Sequence, residues 1–332
     1  MVLVQLIQYY TMLNLSFRRK ELRFFVLLLC LGLLSMQVKG QSHVKDFSLS
    51  DGQKVLFLGN SITYAGQYVA MTESLFLSSH PKRKPHFINS GLPSETVSGL
   101  SEPNHADGKF PRPCLFDRLD NVLDKIKPEV VFVCYGMNDG IYLPFDAIRF
   151  EAYKNGIIRL HKRLVDQGVK RILWMTPPVH DDPQLRLNGY NKVLDRYAEW
   201  LIGYTKMQSW EIIDLHFPMR RYLEAGIEKD AQFKLAADGV HPGELGHWLM
   251  AKEIVQHLMP DFPIESTWDD NLRNQPKLRQ LYTLVLKRQT MMKDAWLTYT
   301  GHKRPGLSKG IPIEDASKAY AAIQDEIQAL GF

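Results

Sequence analysis

Short apolar runs alternate with longer amphipathic segments along this chain from about residue 54 to residue 258. The short runs have the length and composition of buried strands, and they cover residues 55–58, 86–89, 130–135, 171–175 and 210–215. The longer segments have apolar residues at helical spacing, and they cover residues 68–77, 116–126, 145–167, 187–206 and 244–258. Alternating strands and helices favour right-handed βαβ connections, so we expect an α/β fold with a mostly parallel sheet between two helical layers.

The pattern changes after about residue 262. Pro263, Asn271, Asn274 and Pro276 interrupt it, and two segments with helical spacing follow at 278–296 and 313–330. Two helices with one apolar stripe each need a surface to cover, so residues 262–332 are predicted to form a helical extension packed on the α/β unit of residues 41–261. The basic loop between the two helices, around residues 300–305, is either a solvated connector or a contact for an acidic glycan at the rim of the active site.

Residues 1–40 resemble a secretory signal peptide. They contain five Lys or Arg residues against one Glu, then an eleven-residue apolar run at 24–34, and we expect cleavage between Gly40 and Gln41. The run is too short to span a bilayer comfortably, so secretion or a periplasmic location is favoured over a retained anchor or a lipoprotein at Cys30. Translation begins at either Met1 or Met12. The leader carries +4 of the net charge of +5, so the basic pI is no sign of nucleic-acid binding.

Two cysteines, Cys114 and Cys134, follow the leader, which is too few for a disulfide framework. Cys134 lies in an apolar run and is predicted to be a small buried hydrophobic residue, although a bridge between the two remains an alternative. The chain has no clustered Cys and His pattern, so neither a metal site nor a cofactor is expected.

Ser61 follows the first predicted strand in the stretch Gly59-Asn60-Ser61. The carboxyl ends of parallel strands are where α/β proteins bind ligands, so Ser61 is well placed as a nucleophile, although a serine there can also cap the next helix. A serine hydroxyl needs a base, and His241 is a candidate because Asp238, three residues earlier, can orient its imidazole. Ser61, His241 and Asp238 therefore form a candidate catalytic triad, and the alternative is that Asp238 only caps the local turn.

Four short blocks resemble those of the SGNH (GDSL-type) hydrolase family across residues 53–260. They are Gly59-Asn60-Ser61, Gly91, the loop Gly136-Met137-Asn138-Asp139, and Asp238 with His241. The family's aspartate is replaced by asparagine at position 60. The resemblance implies a three-layer α/β/α fold with a flavodoxin-like five-stranded sheet, and an oxyanion hole formed by the N–H groups of Ser61 and Gly91 and the Asn138 amide. Asp139 is expected to order its loop.

These features predict a secreted serine esterase that hydrolyses acyl, in particular acetyl, esters of carbohydrate. The alternatives are a lipid or aryl esterase or thioesterase, and a non-catalytic glycan-binding protein on a hydrolase scaffold. Four aromatic residues near the predicted site, Tyr64, Tyr135, Tyr142 and Trp174, would serve either sugar stacking or acyl contact. The sequence names neither the glycan, the acyl-chain preference nor the oligomeric state.

Overall fold

Five parallel strands form one sheet in the computed structural model, which describes residues 49–182 and 184–332. Its strand order is β2-β1-β3-β4-β5. The strands are β1 (Lys54–Gly59), β2 (His86–Gly91), β3 (Val130–Cys134), β4 (Arg171–Met175) and β5 (Glu211–Ile213). The sheet lies between helical layers, so the predicted α/β/α fold is confirmed. The predictions for residues 1–40 lie outside the described residues.

Ten α-helices are described in residues 49–182 and 184–332. They are α1 (Ser61–Ala65), α2 (Gln67–Ser79), α3 (Leu119–Ile126), α4 (Ala147–Asp166), α5 (Asn191–Gln208), α6 (His216–Lys229), α7 (Glu244–Leu258), α8 (Trp268–Asn274), α9 (Pro276–Thr300) and α10 (Ile313–Ala329). Short 3-10 turns cover His105–Gly108 and Leu115–Asp117.

The register of the sheet aligns the carboxyl ends of its three neighbouring strands. Gly59 at the end of β1 pairs with Gly91 on β2 and with Cys134 on β3. The strands are buried on both faces, and the ring of Phe57 stacks on that of Phe132 at 4.5 Å between centroids. The loops that follow β1, β2 and β3 therefore start from one edge of the sheet.

Sequence pattern did not predict three helices, the five-residue α1, α6 and α8. Helix α6 buries only His216, Met219 and Leu223, and its many charged residues and early proline hide the helical spacing. Helix α8 is a short helix capped by Thr267, whose hydroxyl accepts a hydrogen bond from the N–H of Asp270. The segment predicted to be helical from residue 116 instead begins with a 3-10 turn, and α3 starts at Leu119.

Helix α9 packs against α2 and against the edge strand β2, and α10 packs on α9. Arg288 on α9 forms a buried ion pair with Glu73 on α2, with Nη2 2.6 Å from Oε1. The side chain of Gln289 donates to the other Glu73 oxygen and to the carbonyl of Phe87 on β2. The C-terminal helices are thus held to the sheet unit by buried polar contacts as well as by apolar packing.

Cys114 and Cys134 are both free, so they do not form the bridge that the sequence left open. Cys134 is buried, as predicted. No helix within residues 49–182 and 184–332 has the length and apolar content needed to cross a membrane.

Candidate active site

Ser61 is the first residue of α1, directly after the turn that ends β1. The turn is tight, because a side chain at Gly59 would lie 2.1 Å from the hydroxyl oxygen of Thr63. Asn60 caps the helix, and its side-chain oxygen accepts a hydrogen bond from the N–H of Ile62 at 3.0 Å. Asparagine at position 60 thus caps the helix as an aspartate would. The N–H of Ser61 belongs to the first helical turn, where backbone N–H groups lack intrahelical partners.

A chain of hydrogen bonds connects Ser61, His241 and Asp238. The Nε2 atom of His241 lies 2.8 Å from the Ser61 hydroxyl oxygen, and its Nδ1 atom lies 2.6 Å from Oδ2 of Asp238. An ionised carboxylate only accepts hydrogen bonds, so Nδ1 carries the proton and Nε2 is left to accept one from the serine. The structure therefore brings together, across 180 residues of sequence, the three side chains predicted to form a triad.

The Asp238 carboxylate is fixed by its own loop. Its Oδ1 atom accepts hydrogen bonds from the backbone N–H groups of Val240 and His241 at 2.9 and 2.8 Å. Burial alone would raise its pKa, but the hydrogen bonds from the His241 side chain and from these N–H groups lower the pKa of Asp238 to about 2. Asp238 is therefore a carboxylate at neutral pH.

Asp181, after β4, holds the loop that carries His241. The N–H of Asp181 donates to the carbonyl of Gly239 at 2.8 Å, and Oδ2 of Asp181 accepts from the N–H of Leu235 at 2.9 Å. Arg186 forms an ion pair with the same carboxylate at 3.3 Å. These contacts, which sequence pattern did not reveal, fix the loop from both sides.

Asn138 is buried in the loop after β3 with its amide oriented by two partners. Its Oδ1 atom accepts from the hydroxyl of Tyr142 at 2.9 Å, and its Nδ2 atom donates to the carbonyl of Glu95 at 3.1 Å. One N–H of the amide remains for another acceptor. Asp139 orders the loop as predicted, because its carboxylate accepts from the N–H groups of Val97, Ser98 and Gly136.

Gly91 does not have the free N–H that the oxyanion prediction requires, so the geometry contradicts that prediction. Its N–H donates to Oδ1 of Asn89 at 2.9 Å. A side chain at position 91 would lie 2.3 Å from the backbone nitrogen of Tyr64, so glycine allows β2 to approach α1 closely. Three residues further on, Ser94 has a left-handed backbone conformation with a φ of 68°, which is strained for any residue other than glycine.

A buried ion pair lies behind Asn138 and was not predicted from sequence. Arg118 binds both carboxylate oxygens of Glu95, at 2.6 and 2.7 Å, and also the side-chain and backbone oxygens of Ser90. The hydroxyl of Tyr135 donates to Glu95 at 2.6 Å. Since the carbonyl of the same Glu95 receives the Asn138 amide, this network fixes one wall of the site.

Residues 57–249, more than half of the 332-residue chain, match the model of the GDSL-like lipase/acylhydrolase family. The chain belongs to this family. Comparison with curated proteins returns no significant match.

Solved structures resemble this chain at low sequence identity. The acetylxylan esterase Axe2 from Geobacillus stearothermophilus is 21% identical, with a TM-score of 0.51, over 65% of this chain and 98% of that one. A gut microbial diltiazem-metabolizing enzyme is also 21% identical, with a TM-score of 0.52, over 64% of this chain but only 48% of that one. The present chain thus matches about half the length of the second protein, and both likenesses concern the fold.

A cleft of about 690 Å³ is lined in part by Tyr142, whose hydroxyl donates to Asn138. Its wall includes the aromatic rings of Tyr142, Phe145 and Tyr190, and apolar and polar side chains complete it: Leu143, Pro144, His180, Asp182, Leu185, Asn188, Lys192, Val193 and Arg196. Ile141 and Tyr142 both have positive φ, 49° and 56°, and this strained pair directs the Tyr142 hydroxyl to Asn138.

Two of the four aromatic residues named from the sequence do not line the site. Trp174 is fully buried, and Tyr135 is 1% exposed with its hydroxyl bound to Glu95. A parallel strand is buried on both faces, so an aromatic residue within one reaches the core and not the ligand. Tyr142 lines the cleft, and Tyr64 lies on α1, three residues after Ser61.

Helix α9 contacts helix α1, which carries Ser61. The hydroxyl of Tyr64 donates to Oδ1 of Asp294 at 2.9 Å, and Nζ of Lys293 donates to the Tyr64 carbonyl at 3.0 Å. Burial, reinforced by the Asp294 carboxylate, raises the pKa of Tyr64 to about 12. The C-terminal extension therefore forms part of the surroundings of Ser61.

Three other histidines, His180, His216 and His247, are buried. His216 bridges Asp195 and the carbonyl of Pro177. Within the described ranges, no group of three or more His, Cys, Asp or Glu side chains is placed to hold a metal ion.

Proposed function

We propose that this protein is a secreted serine esterase that hydrolyses acyl, in particular acetyl, esters of carbohydrate. The observation that carries the proposal is the hydrogen-bonded chain from Ser61 through His241 to Asp238, with distances of 2.8 and 2.6 Å. A hydroxyl in contact with an oriented imidazole is the arrangement that nucleophilic acyl transfer requires.

In the proposed acylation step, the hydroxyl oxygen of Ser61 attacks the ester carbonyl while Nε2 of His241 takes its proton. Asp238 stabilises the imidazolium that forms, and it is ionised at neutral pH because hydrogen bonds hold its pKa at about 2. His241 then gives the proton to the departing alcohol, which leaves an acyl-serine. Water, activated by His241, attacks this intermediate and releases the carboxylic acid and free Ser61.

Two donors are available in this proposal for the negative charge that develops on the carbonyl oxygen. One is the backbone N–H of Ser61, and the other is the second N–H of the Asn138 amide, whose first N–H faces the Glu95 carbonyl. Each preorganised donor of this kind contributes about 3 kcal/mol to transition-state stabilisation. Gly91 is omitted because its N–H already donates to Asn89.

The structural neighbours support an acetylated carbohydrate as substrate. Axe2 is described as an acetylxylan esterase, and two of its structures are catalytic mutants in which a serine or an aspartate is replaced by alanine. Another is described as an acetyl-xylooligosaccharide esterase. We infer a substrate of the same chemical class here, bound with its sugar against the aromatic side chains around Asn138.

A second candidate function is hydrolysis of esters with larger apolar acyl or aryl groups. The cleft favours it, because Leu143, Phe145 and Leu185 expose 46%, 37% and 58% of their surface there. Hydrolysis rates of p-nitrophenyl acetate and of a long-chain p-nitrophenyl ester separate the two candidates. Faster turnover of the long chain would favour the apolar substrate over acetyl carbohydrate.

Replacement of the nucleophile tests the whole proposal. Ser61→Ala should fold normally but lose acetate release from p-nitrophenyl acetate and from acetylated glycans, together with labelling by a fluorophosphonate. Ser317→Ala, at an exposed serine on α10, should keep both properties. If Ser61→Ala retains turnover or labelling, the mechanism is wrong. If the unaltered protein shows neither, the non-catalytic glycan-binding alternative becomes the better account.

The export part of the proposal is supported only by the sequence of residues 1–40. We expect the mature protein to begin at Gln41, with the leader removed. Mass spectrometry of the protein recovered from the periplasm or medium of an expressing cell tests this. A mature chain that stays in the cytoplasm or keeps residues 1–40 would contradict it.

A further inference from the structure

Helix α1, which carries Ser61, is too short to hold its own position. It has five residues, Ser61–Ala65. The first four N–H groups and the last four C=O groups of a helix lack intrahelical partners, so a helix of this length is not stable on its own. The position of the Ser61 hydroxyl therefore depends on the contacts that neighbouring elements make with α1.

Strand β2 supplies one set of these contacts. The side-chain amide of Asn89 donates to the Thr63 carbonyl at 2.6 Å. Gly91 brings the backbone of β2 so close to the backbone nitrogen of Tyr64 that no side chain would fit between them. The sheet thus holds α1 through its edge strand.

Helix α9 supplies a second set of contacts, which are made with Tyr64. Nζ of Lys293 donates to the Tyr64 carbonyl at 3.0 Å and lies 3.9 Å from the centre of the Tyr64 ring. The Tyr64 hydroxyl donates to Oδ1 of Asp294 at 2.9 Å. A cation is favourable both at the last carbonyl groups of a helix and over an aromatic ring. Two consecutive residues of α9 therefore hold the backbone, the ring and the hydroxyl of Tyr64.

These contacts assign Tyr64 a different role from the one expected from the sequence, which was sugar stacking or acyl contact. Lys293 lies over one face of its ring, and Asp294 binds its hydroxyl. Both features of the side chain that would serve a ligand are thus engaged by α9. Holding α1 in place accounts for them better.

Helix α9 is itself fixed close to these contacts. Arg288, five residues before Lys293, forms the buried ion pair with Glu73 on α2, and both side chains are only 1% exposed. The Arg288 guanidinium also lies 4.6 Å from the centre of the Tyr320 ring on α10. The C-terminal extension is therefore anchored on the α/β unit near the residues that contact Tyr64.

We propose that Lys293 and Asp294 are positioning residues for the nucleophile, and that they act through Tyr64 on helix α1. This inference rests on the proposed function. In it, the two residues hold the Ser61 hydroxyl at 2.8 Å from Nε2 of His241, where proton transfer can begin. The His241 side chain is half exposed, so packing does not force its imidazole to follow a displaced serine. A displacement of about 1 Å can cost roughly 100-fold in rate.

The positioning contacts come from the C-terminal extension and not from the blocks that identify the family. The match to the family model ends at residue 249, and α9 begins at Pro276. Lys293 and Asp294 therefore lie outside the matched residues. The extension would thus contribute to the alignment of the catalytic groups although it carries none of them.

Replacement of Lys293 tests the proposal. Lys293→Met keeps an unbranched side chain but removes the donor and the charge, and we expect kcat for p-nitrophenyl acetate to fall about tenfold while KM stays within about twofold. Lys293→Arg keeps a cationic donor and should recover most of the loss. All rates are measured at a temperature at which circular dichroism shows the variants to be fully folded.

Lys287→Met is the matched control, because Lys287 is an exposed lysine on the same helix. It should keep the kcat of the unaltered protein. An unchanged kcat in Lys293→Met would overturn the proposal, and so would an equal fall in both variants.

A double-mutant cycle tests whether Asp294 acts through Tyr64. Tyr64→Phe removes the hydroxyl and Asp294→Ala removes its acceptor, so each change alone should lower kcat about threefold. Because both changes remove the same hydrogen bond, the double variant should fall no further than either single variant. Losses that multiply in the double variant would show that Asp294 acts independently of Tyr64, and its assignment would be wrong.

Hydrogen–deuterium exchange separates this inference from the esterase proposal, because it needs no turnover. The backbone N–H groups of α1 should exchange about tenfold faster in Lys293→Met than in Lys287→Met. Faster exchange supports the positioning contacts even if the unaltered protein hydrolyses no ester. Unchanged exchange rejects them, and hydrolysis of p-nitrophenyl acetate by the unaltered protein would then leave the esterase proposal intact.

Discussion

The reacting groups of the candidate active site and the groups that support Asn138 differ sharply in exposure. The side chains of His241 and Asp238 are 50% and 56% exposed. The ion pair behind Asn138 is almost inaccessible to solvent, with Arg118 3% exposed and Glu95 fully buried. Both regions lie at the same edge of the sheet, and both are held together by charge-assisted hydrogen bonds of 2.6 Å.

The difference follows from what each region has to do in the proposed mechanism. A base that takes and returns protons needs contact with substrate and water. A donor for an oxyanion contributes most when it is fixed before the reaction begins, and burial of its supports fixes it. Exposed pairs contribute little to folding stability, whereas breaking one partner of a buried pair is costly. Substitutions in the two regions should therefore separate activity from stability.

The largest effect is expected from Glu95→Gln. This change leaves the buried Arg118 guanidinium without its counter-ion, so the free energy of unfolding should fall by about 3–5 kcal/mol. Urea denaturation followed by circular dichroism measures the loss. Glu129→Gln, which breaks an exposed pair with Lys170, should cost less than about 1 kcal/mol. Similar losses in the two variants would mean that burial does not make the Glu95–Arg118 pair contribute more to folding stability than an exposed pair does.

Sequence pattern predicted the sheet and the triad because both depend on local signals. Buried parallel strands are continuous apolar runs. Ser61 follows a predicted strand and His241 precedes a predicted helix, and Gly or Pro residues mark both boundaries. The same logic predicted the two C-terminal helices from their apolar spacing. Helix α6 was not predicted because few of its residues are buried, so it has no clear apolar spacing.

The supports of the site were not predictable, because they join residues far apart in sequence. Glu95 and Arg118 are separated by 23 residues and Tyr64 and Asp294 by 230, and no periodicity marks such pairs. The Gly91 prediction was wrong for a related reason. The resemblance identified the glycine at the end of β2, but only the structure shows that its N–H donates to Asn89 and that the absence of a side chain makes room for α1.

A smaller effect, on activity alone, is expected from Tyr142→Phe. The change removes the hydroxyl that donates to Oδ1 of Asn138, so the amide loses one of its two orienting contacts. We expect kcat for p-nitrophenyl acetate to fall roughly three- to tenfold with KM unchanged, which corresponds to one hydrogen bond of about 1 kcal/mol.

Tyr190→Phe is the control for this prediction. Tyr190 lines the same cleft, but its hydroxyl donates to the Met137 carbonyl and not to Asn138. Its kcat should therefore stay close to that of the unaltered protein. An equal fall in both variants would indicate a general disturbance of the cleft, and the orienting role of Tyr142 would be lost.

The smallest effect concerns the exposed side of the comparison and depends on pH. Hydrogen bonds lower the pKa of Asp238 to about 2 in the folded protein, against about 3.9 in an unfolded chain. Its ionised form therefore stabilises the fold above about pH 4, and this contribution is lost as pH falls from about 4 to 2. Because the carboxylate is more than half exposed, solvent screening should keep the contribution below about 1 kcal/mol. Urea denaturation of the protein and of Asp238→Asn should show a stability difference at pH 5 that shrinks towards pH 2. A difference that is constant over this range would mean that the triad carboxylate gains no stabilisation from His241. Of the two ion pairs compared, only the buried Glu95–Arg118 pair would then contribute to folding stability.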